Sequence, residues 1–261
     1  MEGPGALSWR SRRARRPGAG AGPPAGAPAG GQAALPPGAG AGERFEPERG
    51  WRAPEVSEEL PQLQLLFAGV EVRHGGSLGG RSPRELQARL RALSNGFRGA
   101  RAVAIRREPV PAAYRAFYRQ IGLDPDVVRT PLEGVVLERM LHGGFVSEGL
   151  LADVLLIALL DTGVAVWALD ARLVRGTIGI RASREGEPLG RCADAPPLAA
   201  GRLVIADDTA ALATLFGELA PGHAPNASTR ELLLFAIQVP GVPTLYVEET
   251  LWTCRCALGP V

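Results

Sequence analysis

The chain has 261 residues, a net charge of +2, 46 % hydrophobic and 21 % charged residues, a balance that excludes a chain disordered throughout. Residues 1–42 hold 11 Gly, 11 Ala and 7 Pro. They offer too little apolar surface to offset the entropy of ordering, so the sequence predicts a disordered tail, a linker over 43–60 and one domain over 61–258.

Charge distribution says more than the total. Residues 73–119 carry eleven Arg against Glu85 and Glu108, a local charge of +9, whereas 43–72 carry −4 and 120–261 carry −7. A polyanion is expected at the basic stretch or at the tail, which holds five Arg. The alternative is a solvated arginine face in a composition that uses no lysine and is rich in Gly, Pro and Ala.

In chain order, the tail's Arg10-Ser-Arg12-Arg13-Ala-Arg15-Arg16 is followed by Pro-Gly-Ala-Gly rather than by an apolar run, so neither a secretory nor a twin-arginine signal is complete. Leu63–Val72 predicts a first strand. Ser82-Pro83-Arg84-Glu85 predicts a capping box, opening a helix with Leu86, Leu90 and Leu93 on one face and Asn95-Gly96 at its end. A second helix is expected over Pro111–Ile121, its Tyr114, Phe117 and Tyr118 being core aromatics. Thr130-Pro131-Leu132-Glu133 repeats the capping device, with Val136, Leu137, Met140 and Leu141 as the buried face and His142-Gly143-Gly144 as the stop. Ser147 is placed to cap a helix over Glu148–Leu160. Its apolar run to Leu169 contains Asp153, Asp161 and Gly163; an Asp at the bilayer centre costs roughly 2.5–3.5 kcal/mol, which argues for a buried helix and then a strand, not a membrane span.

Short strands follow at Val164–Leu169, Thr177–Arg181, Leu203–Ala206 and Leu232–Val239, with a closing helix over Glu248–Leu258 that turns Leu251 and Trp252 inward. Asp207-Asp208 reads as a turn rather than a metal site, since no third oxygen ligand is positioned. Cys192, Cys254 and Cys256 lack zinc spacing and are too few for a disulfide framework, which predicts reduced, buried thiols. Helices first and strands mostly later give an α+β fold with a mixed sheet and packed helices. A cytoplasmic protein without metal or cofactor is expected; the oligomeric state is left open.

From Asp153 onward the order of signals carries a resemblance. Asp153-Val opens a helical run, then come Gly163-Val-Ala-Val-Trp-Ala-Leu-Asp170, Gly176-Thr-Ile-Gly-Ile-Arg181, Gly186-Glu187, Leu203-Val-Ile-Ala-Asp-Asp208, Ala211-Leu-Ala-Thr-Leu-Phe-Gly217 and Ser228-Thr-Arg-Glu-Leu-Leu-Leu-Phe235. Over Leu123–Val242 the chain resembles the B3/B4 domain of the bacterial phenylalanyl-tRNA synthetase beta subunit and the stand-alone B3/B4 proteins. The resemblance implies a tRNA-related binding function, and in the synthetase this domain holds a pocket that hydrolyses mischarged tyrosyl-tRNA. No class II synthetase motif accompanies it, so aminoacylation is not implied.

The carried-over pocket loses its polar groups. The family's Thr-Asn pair after the matching Asp153 falls on Leu155 and Leu156, and its histidine, three residues before the matching Asp170, falls on Trp167. The glycine-rich turn keeps Gly217 but has Thr214 and Glu218 beside it. The carboxylate that recognises the tyrosine hydroxyl falls on Leu234. Such replacements remove the contacts that orient an ester and its attacking water. The expected function is RNA binding, to tRNA or another RNA, through Arg84, Arg89, Arg91, Arg98, Arg101, Arg106 and Arg107. The alternatives are a freestanding mischarged-tRNA deacylase, and a small-molecule or protein-interaction domain reusing an apolar pocket lined by Leu155, Leu156, Trp167 and Leu234.

Overall fold

The computed structural model describes residues 45–72, 78–97, 99–191, 195 and 197–259. The tail over 1–42, Arg98 and Cys192 lie outside the described residues.

Among the described residues eight strands form two four-stranded sheets. They are β1 (Glu48–Arg49), β2 (Trp51–Arg52), β3 (Gln64–Glu71), β4 (Val166–Asp170), β5 (Gly179–Ala182), β6 (Leu203–Ala206), β7 (Ala211–Thr214) and β8 (Glu231–Gln238). The first sheet, β1-β3-β8-β4, is antiparallel throughout. The second, β2-β5-β6-β7, is mixed, with β2 parallel to β5. The helices are α1 (Pro54–Glu59), α2 (Arg84–Gly96), α3 (Gly99–Ala104), α4 (Pro109–Gln120), α5 (Pro131–His142), α6 (Leu150–Thr162) and α7 (Thr244–Leu258), with 3-10 turns at Ile105–Arg107 and Ala171–Leu173. This is an α+β fold.

The segment read as a linker is instead part of both sheets. Glu48 and Arg49 pair with Phe67 and Leu66 of β3, and Trp51 and Arg52 pair with Gly179 and Ile180 of β5. Gly50 makes the crossing possible: a Cβ there would lie 2.7 Å from the Ile178 carbonyl oxygen and 2.8 Å from Leu65 Cδ2. Proline and glutamate here mark a sheet crossing and a short helix, because backbone pairing outweighs their loop preference.

The two S/T-Pro-x-Glu signatures part ways. At α5 the capping box forms, with Glu133 Oε2 accepting from the Thr130 hydroxyl at 2.9 Å and from the Thr130 amide at 3.4 Å. At α2 it does not: the helix begins one residue later, Pro83 occupies the cap position, and the buried Ser82 hydroxyl has no hydrogen-bond partner. Glu85 is then one residue short of the position from which a carboxylate reaches back. α6 also begins later than expected, because the Asp153 carboxylate accepts from the Glu148 amide at 3.0 Å and from the Ser147 hydroxyl.

One apolar core runs through both sheets, α4, α6 and α7; a second joins α2, α5 and α6 through Leu90, Phe97, Leu132, Val136, Ile157 and Leu160. Tyr114, Phe117 and Tyr118 are buried as expected, whereas Trp252 is not. It lies on the outer side of α7 with its ring 5.3 Å from Phe45. Leu137, Met140 and Leu141 are exposed rather than buried; only Val136 of the expected α5 face reaches the core. α5 has its N-terminal half against α4 and α6, through Glu133, Leu132 and Val136, and is tied further on to α2 by Arg139, which donates to the Ser94 carbonyl. Cys254 is buried, and burial pushes its thiol up to about 12, which leaves it unreactive. Among the described residues no helix is long and apolar enough to cross a membrane, and no group of three His, Cys, Asp or Glu could hold a metal ion.

Candidate functional site

Sheet register decides the fate of the expected pocket. Trp167 pairs with Phe235 and Phe235 with Phe67, so these three share one face; Leu234 pairs with Ala68 and Ala168 on the other. The first face carries Leu65, against Gly50 at the second sheet; the second carries Val70, against Gly259 at the end of α7. Trp167 and Leu234 are therefore separated by the thickness of the sheet. Leu155 packs with the core of the two sheets and Leu156 with the core of α2 and α5, as neighbours some 100° apart on a helix must. The four apolar positions do not converge.

Thr214, Gly217 and Trp167 do come together, around Phe216, to which the sequence assigns no role. Phe216 has a positive φ of 60°, a conformation that costs a bulky residue on the order of 1–3 kcal/mol. Its ring stacks on Tyr118 at 5.2 Å and meets Tyr114, Phe117 and Trp167 at 5.7, 5.9 and 6.3 Å. Trp167 stacks in turn on Phe235 at 5.7 Å. Aromatic pairs of this kind are each worth roughly 0.5–1.5 kcal/mol beyond area burial, enough together to offset the strain. A Cβ on Gly217 would lie 2.2 Å from Thr214 Oγ1, a buried hydroxyl without a partner. The turn that could give room to an amino acid is filled by rings. The only sequence signal is the Phe216-Gly217 pair itself: glycine marks the turn, and nothing local says that its half-buried neighbour packs on the core aromatics.

The aspartates of the resemblance are structural. Besides capping the entry to α6, the pattern recurs at Asp170, which is buried and accepts from the Arg172 amide at 3.1 Å and the Thr229 hydroxyl at 2.6 Å. Asp207 accepts from the amides of Thr209, Ala210 and Arg175 at 2.8, 2.9 and 2.8 Å and pairs with Arg191. Burial pushes its carboxyl up, but those hydrogen bonds win and hold it below the usual carboxylate range. This is the turn the sequence predicted.

The basic stretch divides into spent and unspent arginines. Arg115 is buried between α4 and α5, donating to Glu133 at 2.7 Å and to Asp126 at 2.8 Å. Arg106 shares both acids, at 3.0 Å from Glu133 and 3.3 Å from Asp126, and Arg89 bridges to Asp161 at 2.6 Å. By contrast Arg84, Arg91, Arg101 and Arg107 are exposed and pair with no carboxylate among the described residues. Arg101 lies over the Phe97 ring at 4.5 Å, which fixes α3 against the end of α2. Arg139 of α5 donates to the Ser94 carbonyl of α2 at 2.9 Å. These two contacts join α2 to α3 and α2 to α5; Arg84 and Arg91 stand on α2, Arg101 on α3 and Arg107 on the 3-10 turn that follows it. No protein family matches this chain, and no curated protein matches it.

Proposed function

We propose that this chain is an RNA-binding protein of B3/B4 type, engaging tRNA or another RNA through the helical surface of α2 and α3 without acting on it. The observation that carries this reading is the set of exposed arginines, Arg84, Arg91, Arg101 and Arg107, which have no carboxylate partner among the described residues, whereas Arg89, Arg106 and Arg115 are paired with Asp161, Glu133 and Asp126. Of these, Arg84, Arg91 and Arg107 can meet phosphates without giving up an ion pair or a ring contact among the described residues. The packed ring cluster at Phe216 supports binding over hydrolysis, because rings occupy the space beside Trp167 and the sheet separates Trp167 from Leu234.

The test uses fluorescently labelled tRNA with the full chain and with a chain lacking residues 1–42. Binding that survives removal of the tail supports the helical surface, and binding that vanishes with the tail overturns it. Deacylation of tyrosyl-tRNA should not exceed a buffer control. Robust deacylation abolished by Trp167→Ala would replace this reading with a freestanding deacylase.

A further inference from the structure

The C-terminal half of α5 carries an apolar stripe that the described residues leave largely uncovered. Val136, Leu137, Met140 and Leu141 repeat at the spacing of one helix face, yet Leu137 is 41 % exposed, Met140 50 % and Leu141 70 %. Across from them Val103 of α3 is 73 % exposed. Between the two helices runs a groove of about 320 Å³, with Ile105 and Val136 at its floor and Val103, Leu137 and Met140 along its walls. Scattered exposed apolar residues are ordinary on a surface; a contiguous stripe lining a groove is the form that marks an interaction site.

The groove is polar at one end only. Arg106 and Arg129 line it where α5 begins. Glu133 also lies there, but its carboxylate is consumed: Oε1 accepts from Arg106 and Arg115, and Oε2 from Thr130. Arg129 is exposed and has no carboxylate partner among the described residues. The surplus charge is therefore positive, beside an apolar channel whose α5 wall, Val136 to Met140, runs for about one helical turn.

We propose that this groove docks a short acidic amphipathic helix of a partner protein, with apolar side chains over Leu137 and Met140 and a carboxylate at Arg129. Charge complementarity chooses the occupant. The chain's own first 42 residues carry five arginines and one glutamate and would be repelled by the rim. A second copy would bring the same surplus of arginine, and its own groove carboxylate, Glu133, is already consumed, so it offers no partner to Arg129. An acidic helix satisfies both ends at once, in the helix-in-groove manner where apolar anchors give affinity and charges give register.

The probe is a labelled synthetic helical peptide with leucines at every third or fourth position and glutamates beside them, titrated by fluorescence anisotropy against the full chain. A twin peptide with lysines for the glutamates is the control. The acidic peptide should bind at least about tenfold more tightly than its twin, and Leu137→Glu or Val103→Glu should weaken it by at least about tenfold. Both residues are exposed, so thermal melts of these variants should match the parent. Equal binding of the two peptides, or no loss in either variant, would overturn the proposal. So would a concentration-dependent dimer of the parent chain that Leu137→Glu abolishes, since the occupant would then be a second copy.

Discussion

α5 is two different helices end to end. Its first turns are fixed by a formed capping box, by a buried arginine from α4 and by Leu132 and Val136 in the core; its last turns carry Leu137, Met140 and Leu141 into the open. The same apolar periodicity runs through both halves. Periodicity therefore states which face is apolar, and only the neighbouring elements state whether that face is covered.

The largest expected effect breaks the buried half. Arg115→Ala leaves the Glu133 carboxylate buried with one fewer cation, and removal of one partner from such a pair costs about 3–5 kcal/mol. Urea denaturation measures it, and a loss under about 1 kcal/mol would mean that the buried half is not held by this network.

A second comparison sets the two capping signatures against each other. Thr130→Ala should cost about 1 kcal/mol, whereas Ser82→Ala should cost no more than a few tenths, because its hydroxyl caps nothing. Equal losses in the two variants would contradict the difference in register.

Acid should attack the buried half as well. Hydrogen bonding from Arg115 holds the Asp126 carboxyl below its usual range, as do the charges of Arg115, Arg106 and Arg119. A group whose folded value is depressed contributes stability that is complete above the unfolded value, about 3.9 for Asp, and is lost as pH falls through the folded value. Asp126→Asn should therefore lower stability at neutral pH and flatten its decline in acid. A decline of unchanged steepness would count against the pairing. The smallest effect belongs to the open half: Leu137→Glu should change stability by no more than about 0.5 kcal/mol, and a large loss would show that this residue is core after all.

Much of the fold was legible in the sequence because it rests on local signals. The eight-residue β3, the proline-started α4, the Thr130 capping box and the glycine stop at Gly143 all follow from propensity and turn chemistry. What escaped depends on contacts distant in sequence. Residues 48–52 look like a linker until β3 and β5 are placed on either side of them. Trp252 looks like core until Phe45 offers it a ring on the outside. The site was the least legible part. Leu155, Leu156, Trp167 and Leu234 fall at matching positions along the chain, but strand alternation sends Trp167 and Leu234 to opposite faces, and Phe216 fills the space beside Trp167. Of the arginines, sequence could say that the stretch is basic, but not that Arg89, Arg106 and Arg115 are tied up in ion pairs.

The central claim, that unpaired arginines of the helical surface supply an RNA contact, is tested most directly by the salt dependence of tRNA binding. Each phosphate contact adds roughly 0.7–0.9 to the slope of log affinity against log salt. In a variant carrying Arg84→Gln, Arg91→Gln and Arg107→Gln the slope should fall by about 2, with the thermal midpoint unchanged. A slope identical to that of the parent, measured on equally folded protein, would contradict the claim.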